Sequence, residues 1–134
     1  MTSDRIEVIA VGVDGSHNSR VAFDWAARLA AALGAELIAV HAVGLLEHRD
    51  DPQHREAGAW LIDLQAPGAR LERVVRDGDP VLALEAVATE RDADLVVVGT
   101  RGIGGAPSLL LGSTSSQLLQ RSHVPVVVVP AGDA

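Results

Sequence analysis

The feature that most constrains the fold is a repeated switch between two apolar periods. "IEVIAVGV" (Ile6–Val13) is a nearly continuous β-branched run, as expected of a strand covered on both faces. "DGSHNS" follows with turn and capping residues, and either Asp14 or Ser16 can accept from the free amides of a helix start. Val21, Ala22, Trp25, Ala26, Leu29 and Leu33 then recur three or four apart, which is helical spacing, and Gly34 stands where a helix commonly ends. The switch repeats: a strand over Ala35–Val43, a short helix over Gln53–Leu64, and an alternating, edge-like strand over Ala69–Arg76. A helix over Pro80–Arg91, a strand over Asp94–Gly99, a helix over Gly112–Ser122 and a last strand over Val124–Pro130 complete the pattern.

Strand–helix alternation of this kind builds parallel strands joined by right-handed crossovers. The expected fold is α/β: a single-domain, doubly wound, five-stranded parallel sheet with Rossmann-like character. The 134 residues suit one domain over 1–134. Hydrophobic residues make up 48% of the chain while Tyr is absent and Phe and Trp total three, so the core must be aliphatic. Patterning alone leaves the strand order open.

Composition also excludes function classes. With no Cys, neither disulfides nor thiolate metal sites can form. A net charge of −7 opposes general attraction to nucleic acid or to acidic membranes. No apolar run approaches the roughly 20 residues of a membrane span, and no leader pattern opens the chain, so a cytoplasmic protein without a membrane partner is expected. All 11 basic residues are Arg; a P-loop, which needs a lysine at the phosphates, is ruled out. No G-x-S-x-G elbow is present, and His17, His48, His54 and His123 show no metal-ligand spacing. His41 falls in a strand pattern and reads as a buried histidine with a satisfied hydrogen bond, and Trp25 and Trp60 read as core or interface residues.

Two strand ends carry chemistry. The first is Gly12-Val13-Asp14-Gly15-Ser16; the other is "GTRGIGG", Gly99 to Gly105, followed by "GSTSS" from Gly112. Open α/β sheets bind ligands beyond the carboxyl ends of their strands where the order reverses. If the first and fourth strands are neighbours there, the two ends face one crevice. Gly99 and Gly102 let backbone amides approach a ligand, and the helix opened by Gly112, Ser113, Thr114 and Ser115 presents unpaired amides and a positive dipole end. With Arg101 as the cation inside the loop, the combination is an anion cradle suited to phosphate. Asp14 can cap the first helix, contact a ligand, or do both.

The spacing Gly99-x2-Gly102-x9-Gly112-Ser113 reproduces G-2x-G-9x-G-(S/T), and over nearly its whole length the chain resembles the ATP-binding branch of the universal stress protein family. "IAVGVDGSHNSRVAFDWAARLA" is similar to the family's opening strand, acidic turn and first helix, and "LIAVHAV", "VVRDGDP" and "PVVVVP" are similar to later strands. The resemblance implies a sheet in the order 3-2-1-4-5 and a bound ATP with Mg2+. It puts Gly12 and Val13 on the adenine side, Ala42 against the base through its backbone, and Asp14 near the ribose or a phosphate-bound metal ion. Gly99, Arg101, Gly102, Gly112, Ser113, Thr114 and Ser115 would surround the phosphates. Ala42 is smaller than the aliphatic residue the family often carries, and "APS" between Gly105 and Leu109 lacks the basic residues often found there.

In the implied order the last strand is an edge, apolar on both faces, which invites a homodimer through Val126–Val129, limited by Pro125 and Pro130. The expected function is nucleotide-dependent regulation in a stress response with slow or no ATP hydrolysis, because only Asp14 and Arg101 could assist the γ-phosphate. The alternatives are a dimeric interaction module that binds no nucleotide, and a sensor that prefers AMP or cAMP.

Overall fold

The computed structural model describes residues 5–43, 60–100 and 113–131. Five strands form one parallel sheet: β1 (Val8–Gly12), β2 (Glu36–Val43), β3 (Arg70–Asp77), β4 (Leu95–Gly99) and β5 (Val126–Val129). Three helices alternate with them: α1 (His17–Leu33), α2 (Pro80–Glu90) and α3 (Ser113–Arg121). The strand order is β3-β2-β1-β4-β5, as the resemblance implies. Residues 60–63 are also helical, ending one residue before the expected Leu64; residues 53–59 of that helix, and Gly112, lie outside the described residues.

β1 lies between β2 and β4, with Val11 opposite Ala39 on one side and Val97 on the other. Its centre is covered on both faces, which is why its sequence is an unbroken apolar run. α1 and residues 60–66 pack on one face over Ile9, Val11, Leu37 and Val97, while α2 and α3 pack on the other over Ala10, Ile38, Val96 and Val98. β3 is the opposite edge, and its alternating exposure matches the alternating sequence.

The strands and helices stop one or two residues inside several sequence boundaries, for identifiable reasons. β1 starts at Val8 because the amides of Glu7 and Val8 are taken by Asp94 Oδ2, at 2.8 and 3.1 Å. α1 is capped by Ser16, whose hydroxyl oxygen accepts from the Ser19 amide, and closes at Gly34 in the left-handed region with φ +70°. Asp79 caps α2 just ahead of Pro80.

The buried stripe of α1 differs from the expected one. Leu33 is 43% exposed, and Val21, Trp25 and Leu29 are only partly covered. The sheet is met by Ser19, Ala22, Phe23, Ala26, Ala27 and Ala30. A helix seated this close takes small residues at the contact, and the larger ones cover its flanks.

Arg73, on the exposed side of β3, is an unpredicted fixture. Its Nε donates to the carbonyl of Leu61 at 2.8 Å, and its Nη2 donates to those of Ile62, at 3.1 Å, and Leu64. The guanidinium thereby closes the carboxyl end of the 60–63 turn, where carbonyls lack partners and the dipole favours a cation.

Candidate functional site

The carboxyl ends of β1 and β4 lie side by side because the two strands pair in parallel. Since β4 and β5 are also parallel, the connecting α3 must run back across the sheet, so its amino end returns to this same side. The expected crevice is therefore bounded by the turn after β1, by Gly99, and by the start of α3.

The turn after β1 is tightly organised. Asp14 Oδ1 accepts from the Ser16 amide at 2.8 Å, and the Asp14 amide donates to Ser19 Oγ at 3.2 Å. Ser19 Oγ donates in turn to the Ser16 carbonyl at 3.1 Å. Both expected capping residues thus serve: Ser16 caps the helix and Asp14 orders the turn that leads into it. Asp14 Oδ2 makes no hydrogen bond among the described residues.

Gly15 gives this turn its shape. Its φ of +83° is one that L-residues rarely adopt, and a β-carbon there would meet Trp60 Nε1 at 2.8 Å. Trp60 in turn stacks edge-on against His41, with ring centroids 5.1 Å apart. His41 is 8% exposed, and its Nδ1 lies 3.0 Å from the Val13 carbonyl oxygen. The buried, satisfied histidine expected from the sequence is thus observed, and it ties β2 to the residue before Asp14. Val13, Gly15 and Trp60, with Ser16, Arg20 and Leu64, line a cavity of about 210 Å³ on the α1 side of the turn.

Gly12 and Gly99 are constrained by packing as well as by any ligand. A β-carbon on Gly12 would approach Leu84 Cδ2 to 3.2 Å, so whatever Gly12 offers the crevice it offers through its backbone. At Gly99 the neighbour is backbone: the carbonyl oxygen of Asn18 stands 2.8 Å from the β-carbon position. Gly12, Val13, Asp14, Ala42 and Gly99 all fall at the carboxyl end of the sheet, Val13 buried and the other four partly exposed. Arg101, Gly102 and Gly112 lie outside the described residues, and Ser113, Thr114 and Ser115 open α3.

Sequence reasoning missed Asn18, Trp60 and Arg73 as shapers of this region. Each acts on a partner distant in sequence, and only the "DGS" preceding Asn18 hinted that the start of α1 was special. Among the described residues there is no cluster of three or more His, Asp or Glu suited to a metal ion, and no helix long and apolar enough to cross a membrane.

Comparison with known proteins agrees with this fold. The family model described as the universal stress protein family matches residues 5–130. A universal stress protein of Mycobacterium tuberculosis is 38% identical over 136 residues, covering 90% of this chain and 44% of the relative. The chain spans about half the length of such mycobacterial relatives. A universal stress protein of Thermus aquaticus is 32% identical and is matched nearly end to end, over 92% of this chain and 98% of its own. A crystal structure of a universal stress protein in complex with cAMP is 33% identical, with a TM-score of 0.74 over 96% of this chain and 100% of that one. The chain belongs to the universal stress protein family.

Proposed function

We propose that the chain binds ATP in the crevice between the carboxyl ends of β1 and β4 and acts as a nucleotide-dependent regulator in a stress response. One observation carries this reading. The order β3-β2-β1-β4-β5 sets the Asp14 turn beside Gly99, the first glycine of the G-2x-G-9x-G-S spacing. On this reading Gly102, Gly112 and the first amides of α3, at Ser113, Thr114 and Ser115, hold the polyphosphate, with Arg101 as its cation. The Ala42 backbone meets the base, and Gly12 and Val13 form the adenine wall. Asp14 fits an Mg2+ ion approached through water, because its Oδ2 has no hydrogen-bond partner among the described residues; a single carboxylate leaves the other ligands to phosphate and water. Hydrolysis is slow or absent, since Asp14 and Arg101 are the only helpers for the γ-phosphate.

A preference for AMP or cAMP over ATP is the second reading, favoured by the 33% identical structure solved with cAMP. We take residues 1–134 as one domain, and the apolar edge strand Val126–Val129 as the seam of a homodimer. Mass spectrometry of small molecules released from the purified chain on mild denaturation tests the ligand. ATP supports the first reading, AMP or cAMP the second, and a non-adenine compound contradicts both.

A further inference from the structure

Arg73 on β3 holds a turn that does not belong to its own strand. Its Nε donates to the Leu61 carbonyl at 2.8 Å, and its Nη2 donates to the carbonyls of Ile62, at 3.1 Å, and Leu64. A helical turn of this length could close on a local glycine or on water. Closure by a side chain of another element also fixes where the turn sits relative to the sheet. The guanidinium is a rigid planar fork, so its donors set direction as well as distance.

The turn so held begins at Trp60, which bears on the residues around Asp14. Its Nε1 stands 2.8 Å from the β-carbon position of Gly15. Its ring meets His41 edge-on with centroids 5.1 Å apart, and His41 Nδ1 lies 3.0 Å from the Val13 carbonyl oxygen. Strand register explains the arrangement. Arg73 lies beside Ala39, and Ala39 beside Val11. Side chains alternate along a strand, so His41, two residues beyond Ala39, stands in the next row of the same face. One row anchors the turn, and the next meets the indole. Asp14 sits between Val13 and Gly15, the two residues this assembly touches. Arg73 is exposed and its bonds are at most partly buried, so water can replace it on these carbonyls and the fold should survive its loss.

We propose that Arg73 is a positioning residue for nucleotide binding: by anchoring the 61–64 turn to β3 it holds the Trp60 indole against Gly15, and so sets the turn that carries Asp14. This rests on the nucleotide reading above and adds to it a residue on the far edge strand, two strand spacings or about 10 Å from β1.

The test uses the full chain carrying Trp25→Phe, which leaves Trp60 as the single indole. Arg73→Met removes the fork, and Arg73→Lys keeps the charge without it. Arg76→Met is the control: it removes the same charge from β3 on the opposite face, where Arg76 pairs with Glu90 of α2. Without ligand, Arg73→Met should shift Trp60 emission to the red and open the indole to acrylamide quenching, and Arg76→Met should do neither. Calorimetry with ATP and magnesium should show about fivefold weaker binding for Arg73→Met, a smaller loss for Arg73→Lys and none for Arg76→Met. In a Trp60→Leu background Arg73→Met should weaken binding no further, because its route to the site is gone. If circular dichroism shows Arg73→Met unfolded, Arg73→Lys carries the same comparisons. A merely structural role would lower the melting temperature while leaving emission and affinity at parental values, and would overturn the proposal. So would additive losses in the Trp60→Leu background. A parent that binds no nucleotide would remove the nucleotide reading together with this role, whereas normal parental binding with unaffected Arg73 variants would remove the role alone.

Discussion

The backbone carbonyl of Asn18 occupies the space that a side chain on Gly99 would need, 2.8 Å from the β-carbon position. The first glycine of the motif is therefore a seat for α1 before it is a contact for any ligand. Because β4 ends without a side chain, the start of the helix settles onto it, and the turn carrying Asp14 is drawn to the edge of the crevice. The Ala-lined face of α1 continues the same close approach toward its carboxyl end.

Gly99→Ala should lower stability by about 1–3 kcal/mol, because the obstacle is main chain and can yield only by moving the helix. Gly34→Ala is the contrasting case. Its β-carbon would meet nothing within 4 Å, and only the positive φ of +70° opposes it, for about 1 kcal/mol. Denaturant midpoints of the two variants distinguish the mechanisms, and equal losses would contradict the close helix–strand contact.

Trp60 should report on the crevice. Its indole covers Gly15, one residue from Asp14, so a ligand at that turn should shift its emission in a Trp25→Phe background. Gly15→Ala combines a φ of +83° with an indole nitrogen 2.8 Å from the new carbon; it should destabilise the fold and abolish that shift. An emission spectrum indifferent to saturating nucleotide would contradict a ligand beside this turn.

Much of this was legible in the sequence, and the rest was not, for a physical reason. Strands and helices followed from apolar period because β1, β2 and β4 are covered on both faces while the helices bury one stripe. The choice of stripe on α1 went astray at Leu33 and passed over the fully buried Phe23, since hydrophobicity does not show which face can approach closely. Strand order came only through family resemblance. The glycine spacing pointed to Gly99, but the Asn18 carbonyl against it, the indole over Gly15 and Arg73 on three carbonyls join distant segments and leave no local pattern.

The pair Arg76–Glu90 gives a pH prediction. Two hydrogen bonds, at 2.9 and 3.0 Å, join the guanidinium to the carboxylate. The hydrogen bond from Arg76 is the main cause holding the Glu90 carboxyl below its ordinary value of 4.5. A depressed folded-state value means the contribution is present above that ordinary value and is lost as pH falls through the lowered one. Glu90→Gln should therefore flatten the acid limb of stability below about pH 4.5. The effect is small, because both side chains are about half exposed. Urea midpoints from pH 7 to pH 3 check it, and parallel curves for the two proteins would contradict it.

β5 forms one edge of the sheet, and its Val126, Val127 and Val128 are only partly buried. An apolar edge of this kind pairs readily with another chain. Sedimentation at micromolar concentration should show a dimer, and a monomer there would contradict pairing through Val126–Val129.

Calorimetric titration with ATP and magnesium tests the central claim most directly, comparing the wild type with Gly112→Val, which on the proposed reading loses one glycine of the phosphate-binding spacing. The account predicts saturable binding by the wild type and its loss in a variant that is shown by circular dichroism to be folded. A correctly folded wild type that stays silent at millimolar ATP, or a variant that binds as tightly as the wild type, would contradict it.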